Sequence, residues 1–230
     1  MEVKQMLQEW AESFRPRAPD DLALAVQIDV QPGERSWHVI VEPGGQVTLD
    51  EGPYPRAQVI LATTEGTLQR IHSGQMTALT AAGKAHASDP APLDWRLGEG
   101  QQFTPQLYRD ALLFLQRFFN RSDPERILLG EAHARLVHGA HAIPLYYHPG
   151  FRSAWYMVKR GERLNEPGDT DPFPQAFVFV AGEGWAKIGE RTVPVKAGES
   201  YYIPPGSDHV VWTESDEPLV LIFLAWGPGA

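Results

Sequence analysis

Residues 175–212 read QAFVFVAGEGWAKIGERTVPVKAGESYYIPPGSDHVVW. In the first six, Gln175, Phe177 and Phe179 share one face and Ala176, Val178 and Val180 the other, the two-residue period of a half-buried strand. Gly182-Glu183-Gly184 turns the chain into Trp185–Ile188, and Gly189-Glu190-Arg191 turns it again into Thr192–Val195. Gly198 precedes a further strand near Tyr201–Ile203, which Pro204-Pro205-Gly206 stops before His209. Short strands punctuated by glycine and proline at this spacing predict an antiparallel barrel or sandwich.

The spacing within this stretch resembles a known family. Gly198, five residues, Pro204, one residue, Gly206, two residues, His209 is similar to the second motif of the cupin superfamily, with Thr213 where that motif has Asn. Gln175, six residues, Gly182 is similar to the end of the first cupin motif, with Gln in place of Glu. Asp169 and Asp171 then fall where the family has its pair of histidines. The resemblance covers the last third of the chain and implies a double-stranded β-helix, or jelly-roll. In cupins that are metalloenzymes the corresponding four side chains hold one metal, so the resemblance implies Asp169, Asp171, Gln175 and His209 as a ligand set. Two carboxylates, an amide and one imidazole make an oxygen-rich set, which suits Mn²⁺, Fe²⁺ or Mg²⁺ better than Cu²⁺ or Zn²⁺. Asp169-Thr170-Asp171-Pro172 also has the composition of a plain polar turn. Phe177, Phe179 and Tyr202 are candidates to line the interior, which aromatic side chains also occupy as simple core.

Composition bounds the rest. The chain has 230 residues, 43% hydrophobic and 21% charged, enough to bury one large or two ordinary cores. A formal charge of −9 with no basic stripe argues against nucleic acid or anionic membrane as partner. The absence of cysteine excludes disulfides, thiolate metal sites and cysteine nucleophiles, and fits a cytoplasmic setting. The longest apolar run, Leu219–Trp226, is too short to span a bilayer and reads as a barrel strand.

Upstream the pattern changes. Val3, Met6, Leu7, Trp10 and Phe14 lie on one helical face, so residues 2–14 should be a helix that Pro16 and Pro19 end. Strands follow at 22–30, 37–42, 46–49 and 57–62, then helices from Thr64 to Ile71 and from Met76 to Ala82, a weaker extended segment, and a strong helix from Pro105 to Phe119. This is an α+β order. Trp37, Ala57-x-Val59-Ile60, Ile71-x-x-Gly74, Met76–Ala81, Gly83-Lys84 and Ser88-Asp89 together resemble the sterol carrier protein 2-like family. That resemblance implies a five-stranded sheet with helices over one face and, in some members, a lipid-like ligand between them. Phe114 and Phe118 would line such a pocket. Their helix carries an apolar arc so wide that plain burial between layers is the simpler account.

The polar segment near 120–128 marks a boundary, giving domains 1–120 and 121–230. His133, His138, His141 and His148 crowd the start of the second domain without helical spacing, and fit barrel strands and rim better than a metal site. No Ser–His–Asp order, phosphate loop or dinucleotide fingerprint is present. The expected function is binding: an apolar or lipid-like ligand in the first domain and a small polar molecule in the barrel. The alternative is a metal-dependent cupin enzyme, an oxygenase, isomerase or lyase. By analogy with cupins, a homodimer is expected.

Overall fold

In a computed structural model, which describes residues 2–33, 35–86 and 88–230, the chain forms two compact units. The first comprises residues 1–82 and 88–128. The second comprises residues 129–230 together with the short segment Gly83–Ala87. Among the described residues no helix is long and apolar enough to cross a membrane.

The first unit runs α1 (Val3–Phe14), β1 (Leu24–Gln31), β2 (Arg35–Glu42), β3 (Gln46–Glu51), β4 (Val59–Thr64), α2 (Glu65–His72), α3 (Ala78–Ala82), β5 (Leu93–Leu97) and α4 (Pro105–Arg117). Its five strands lie in the order β3-β2-β1-β4-β5, with β1 and β4 parallel and the other pairs antiparallel. Helix starts follow local chemistry. Thr64 Oγ1 accepts the Thr67 N–H at the head of α2, and Thr104 Oγ1 accepts the Leu107 N–H at the head of α4, where Pro105 spends no donor. The wide apolar arc of α4 is filled by side chains of the same unit. Phe114 and Phe118 stack at 4.6 Å, Phe14 meets both edge-on, and Trp10 meets Phe119 at 5.0 Å. Rings in offset or edge contact add attraction beyond their buried area.

The second unit is all β: β6 (Arg135–Val137), β7 (Ala140–His148), β8 (Phe151–Val158), β9 (Arg163–Leu164), β10 (Gln175–Ala181), β11 (Glu183–Ile188), β12 (Arg191–Lys196), β13 (Ser200–Ile203), β14 (His209–Trp212) and β15 (Leu219–Trp226). They form a six-stranded sheet, β13-β10-β15-β8-β7-β6, and a four-stranded sheet, β12-β11-β14-β9. One core joins them: Tyr156, Phe177, Phe179, Leu219 and Leu221 from the larger sheet, and Leu164, Ala186, Val195 and Val211 from the smaller. Gly182, at φ +75°, makes the tight turn between β10 and β11, where a Cβ would stand 2.3 Å from the Pro218 carbonyl oxygen. Gly83 belongs here too, its carbonyl accepting Arg135 Nη1–H at 2.8 Å.

Candidate functional site

Period 2 sends Gln175, Phe177 and Phe179 of β10 inward, and all three are buried. Register places Phe177 between Tyr201 of β13 and Phe223 of β15. His209 opens β14 after the proline-glycine loop, 4% exposed, with its ring 6.1 Å from that of Phe177. The same loop fixes the segment ahead of β10, because the Gly206 N–H donates to the Asp171 carbonyl at 2.7 Å.

Three predicted residues meet here. Gln175 Nε2 donates to Asp171 Oδ2 at 2.5 Å, and that oxygen lies 3.7 Å from His209 Nε2. The far nitrogen of His209 faces the Ser207 carbonyl at 3.1 Å. A carbonyl only accepts, so Nδ1 carries a proton and Nε2 is the nitrogen that faces Asp171. Gln175 is 1% exposed, and with its amide N–H₂ turned to Asp171 its Oε1 has no hydrogen-bond partner. A buried, unpaired carbonyl oxygen costs free energy unless something fills its place.

Asp169 behaves differently. Its Oδ2 accepts the Glu166 N–H at 2.9 Å and closes a turn with its own segment, as the polar composition of the stretch allows. Tyr202 faces away from the interior, which corrects its assignment as a lining residue. It is 58% exposed, pairs with Ala176 on the outer face and meets Trp226 at 6.1 Å. Its neighbour Tyr201 takes the inward place, because adjacent strand residues point to opposite faces. Phe179 lies deeper, against Tyr201 at 6.0 Å. Phe114 and Phe118 belong to the first unit's core, where 1% and 0% of their surfaces remain exposed.

The histidine-rich stretch does not converge. His141 is paired with Glu162 and Glu131, and His148 lies against Phe151 at the other end of β7. His138 lies within electrostatic reach of Asp169, Asp171 and His209. It forms a two-residue hairpin with Gly139, at φ 55° and 76°, the pairing that a right-twisted hairpin requires. Gly139 is obligatory there, since a Cβ would sit 2.2 Å from the Arg163 carbonyl oxygen. Burial lowers the His138 pKa below its ordinary value; the charges of Asp169 and Asp171 oppose this, and His86 and His209 add to it. Asn165, also left-handed at φ 62°, ties the parts together, its N–H donating to the His138 carbonyl and its Nδ2 to the His209 carbonyl. Sequence reasoning placed His138 on the rim and passed over Asn165; the signal available was the His-Gly pair between two strand-like stretches.

Two further groups set the electrostatics. Burial, followed by the charges of Tyr147 and Asp171, pushes the Tyr156 phenol far above its ordinary range, so it stays protonated. Burial also pushes the Asp208 carboxyl up, but its bonds to the Lys187 ammonium and the Gly168 backbone, with the charges of Lys187 and His209, more than reverse this and leave it low. Lys187 is thereby committed to Asp208.

These residues do not fit the metal that a cupin barrel implies. Asp169 is held by its own turn, Asp171 is bonded to the nitrogen of Gln175, and that amide turns its oxygen elsewhere. Among the described residues no group of three or more His, Cys, Asp or Glu could hold a metal ion.

Comparison with known proteins agrees with this architecture. No curated protein matches the chain. Among solved structures, a Cupin 2 conserved barrel domain protein from Salinispora arenicola is 26% identical over 45% of this chain and 88% of its own, with a TM-score of 0.40. An RmlC-like cupin from Shewanella frigidimarina is 17% identical over 40% and 80%, with a TM-score of 0.37. A protein from Thermotoga maritima described as a predicted oxalate decarboxylase is 15% identical over 38% and 79%, with a TM-score of 0.36. Residues 166–225, which span the Asp171–Gln175–His209 group, match the family model of the Cupin domain, and the C-terminal part of this chain is a cupin domain.

Proposed function

We propose that the barrel binds a small polar molecule, which hydrogen-bonds to Gln175, Asp171 and His209 while Phe177 and Phe223 pack beside it. The observation that carries this reading is Gln175 Oε1, a buried acceptor without a partner; among the described residues of this unit, Asp208 Oδ1 is the other such atom, and its carboxylate is already bonded to Lys187. Evolution of a sealed apolar barrel would favour an apolar residue at this position, since an orphaned amide oxygen costs about 1–3 kcal/mol. A ligand that donates to it recovers that cost.

The same reading takes residues 1–120 as a sterol carrier protein 2-like domain and residues 121–230 as the cupin, in a cytoplasmic protein. The five-stranded sheet with its helices supports the first assignment. An apolar ligand there would have to enter a layer in which Trp10, Phe14, Phe114 and Phe118 already touch. The barrel therefore carries the better-supported half of the proposal. A metal-dependent oxygenase, isomerase or lyase is the second reading, and the ligand set weighs against it.

The test is ligand-observed NMR on the full chain with a pool of small amines, alcohols and carboxylates, comparing the wild type with the Gln175→Leu, His209→Ala double variant. Compounds that bind the wild type should lose their signal in the variant. A pool in which no compound distinguishes the two proteins defeats the reading.

A further inference from the structure

Two acceptors meet at Gln175. Asp171 presents a carboxylate and Gln175 an unpaired amide oxygen at 1% exposure. Asp169 adds a second carboxylate charge that reaches His138 alongside that of Asp171. The donors are the second hydrogen of Gln175 Nε2 and, within electrostatic reach of Asp171, the Tyr156 hydroxyl and the His138 ring. Among the described residues neither aspartate pairs with a lysine or arginine, and Lys187 is bonded to Asp208.

Such a set discriminates by charge and by hydrogen-bond direction. A carboxylate or phosphate ligand would meet two like charges and an acceptor oxygen with nothing to offer it. A neutral alcohol has one hydrogen for two acceptors. A protonated amine has two or three, and its charge is matched by Asp171. The Phe177 ring, 6.1 Å from His209 and 6.4 Å from Phe223, supplies a face that attracts a cation.

We propose that the ligand of this barrel is an organic ammonium, with its N–H groups donating to Asp171 Oδ2 and Gln175 Oε1. This rests on the reading of the barrel as a small-molecule binder and names the chemical class of that molecule. Specificity follows from the amide. Gln in place of a carboxylate keeps an acceptor at position 175 without a second fixed charge beside Asp171.

The experiment uses the full chain, stripped of metals by EDTA, and two matched sets: propylamine, 1-propanol and propionate, and benzylamine, benzyl alcohol and benzoate. Saturation-transfer NMR at pH 7.5 reads binding, and thermal melting verifies that each variant is folded. At least one amine should bind about tenfold or more tightly than its alcohol, as a charge-assisted bond to Asp171 beside the buried Gln175 oxygen provides, and the carboxylates should give no signal. Asp171→Asn should weaken that amine about tenfold, and Gln175→Leu should weaken it further than it weakens the alcohol. An alcohol or carboxylate that binds as well as the amine, and loses its signal in Gln175→Leu, overturns the ammonium class and leaves the barrel a small-molecule binder. Silence from all six compounds overturns both. Amine binding that neither variant changes overturns the assigned site. Stoichiometric uptake of Mn²⁺ that requires Asp171, in a parallel sample without EDTA, makes the cation a metal and overturns the proposal.

Discussion

The Asn165 N–H donates to the carbonyl of His138 at 2.8 Å, and both residues hold left-handed backbone, at φ 62° and 55°. The bond joins the β6–β7 hairpin to the segment that follows β9. The side chain of the same asparagine then reaches the His209 carbonyl at 3.0 Å. One residue thus sets the positions of two histidines that no local pattern connects.

Substitution separates its two roles. Asn165→Gly keeps the backbone conformation and removes the bond to His209, at a cost of about 1 kcal/mol. Asn165→Ala adds the left-handed penalty of an ordinary residue, roughly 1–2 kcal/mol more. Urea unfolding of the two variants should rank them in that order below the wild type.

His138 should make stability depend on pH. Its folded pKa is lowered, so the unfolded ring takes up a proton that the folded ring refuses. Its contribution is complete above the unfolded value of ~6.5 and is lost as pH falls through the lower folded value. His138→Asn, which also tolerates the left-handed turn, should flatten the fall in melting temperature between about pH 7 and 5 relative to the wild type. Parallel pH profiles for the two proteins would refute this.

Metal affinity should be weak and should rise when the family's ligands are restored. Equilibrium dialysis with metal analysis is expected to find little Mn²⁺ or Fe²⁺ on the wild type. Asp169→His, Asp171→His and Gln175→Glu together should raise uptake at least tenfold, because three imidazoles and a carboxylate suit these ions better. Tight binding by the wild type that His209→Ala abolishes would revive the enzyme reading.

In the first unit, Phe114→Ala should cost about 3–5 kcal/mol, the range for a fully buried phenylalanine. Thermal or urea unfolding measures it. Uptake of a fluorescent fatty acyl probe by the wild type, displaced by an unlabelled fatty acid, would support a carrier function for this unit. A probe that stays free would mark Phe114 and Phe118 as core alone.

A chain starting at Leu129 would contain every strand of the barrel and lack Gly83–Ala87. It should unfold cooperatively, yet at a lower urea midpoint than a version with that segment supplied as a linked peptide, since Arg135 loses its acceptor on Gly83. Equal midpoints would show the segment to be dispensable.

By itself, the sequence determined what depends on neighbours along the chain. Two-residue alternation in 175–180 became β10, the apolar run of 219–226 became β15, and the apolar arc of 105–119 became α4 behind its Thr104 cap. The spacing from Gly198 to His209 placed a histidine at the start of β14, because proline fixes its own φ and glycine takes the turn conformations that other residues avoid, whatever surrounds them. Tertiary structure decided whatever depends on register between distant strands. Alternation alone cannot say whether Tyr201 or Tyr202 faces inward; pairing with β10 sends Tyr201 in and leaves Tyr202 out. Counting along the chain treats Asp169 and Asp171 alike, yet only Asp171 is held beside His209, through the Gly206 N–H, while Asp169 satisfies its own turn. The unpaired oxygen of Gln175 likewise exists only in the fold, because it follows from which side of one amide a carboxylate four residues earlier comes to occupy.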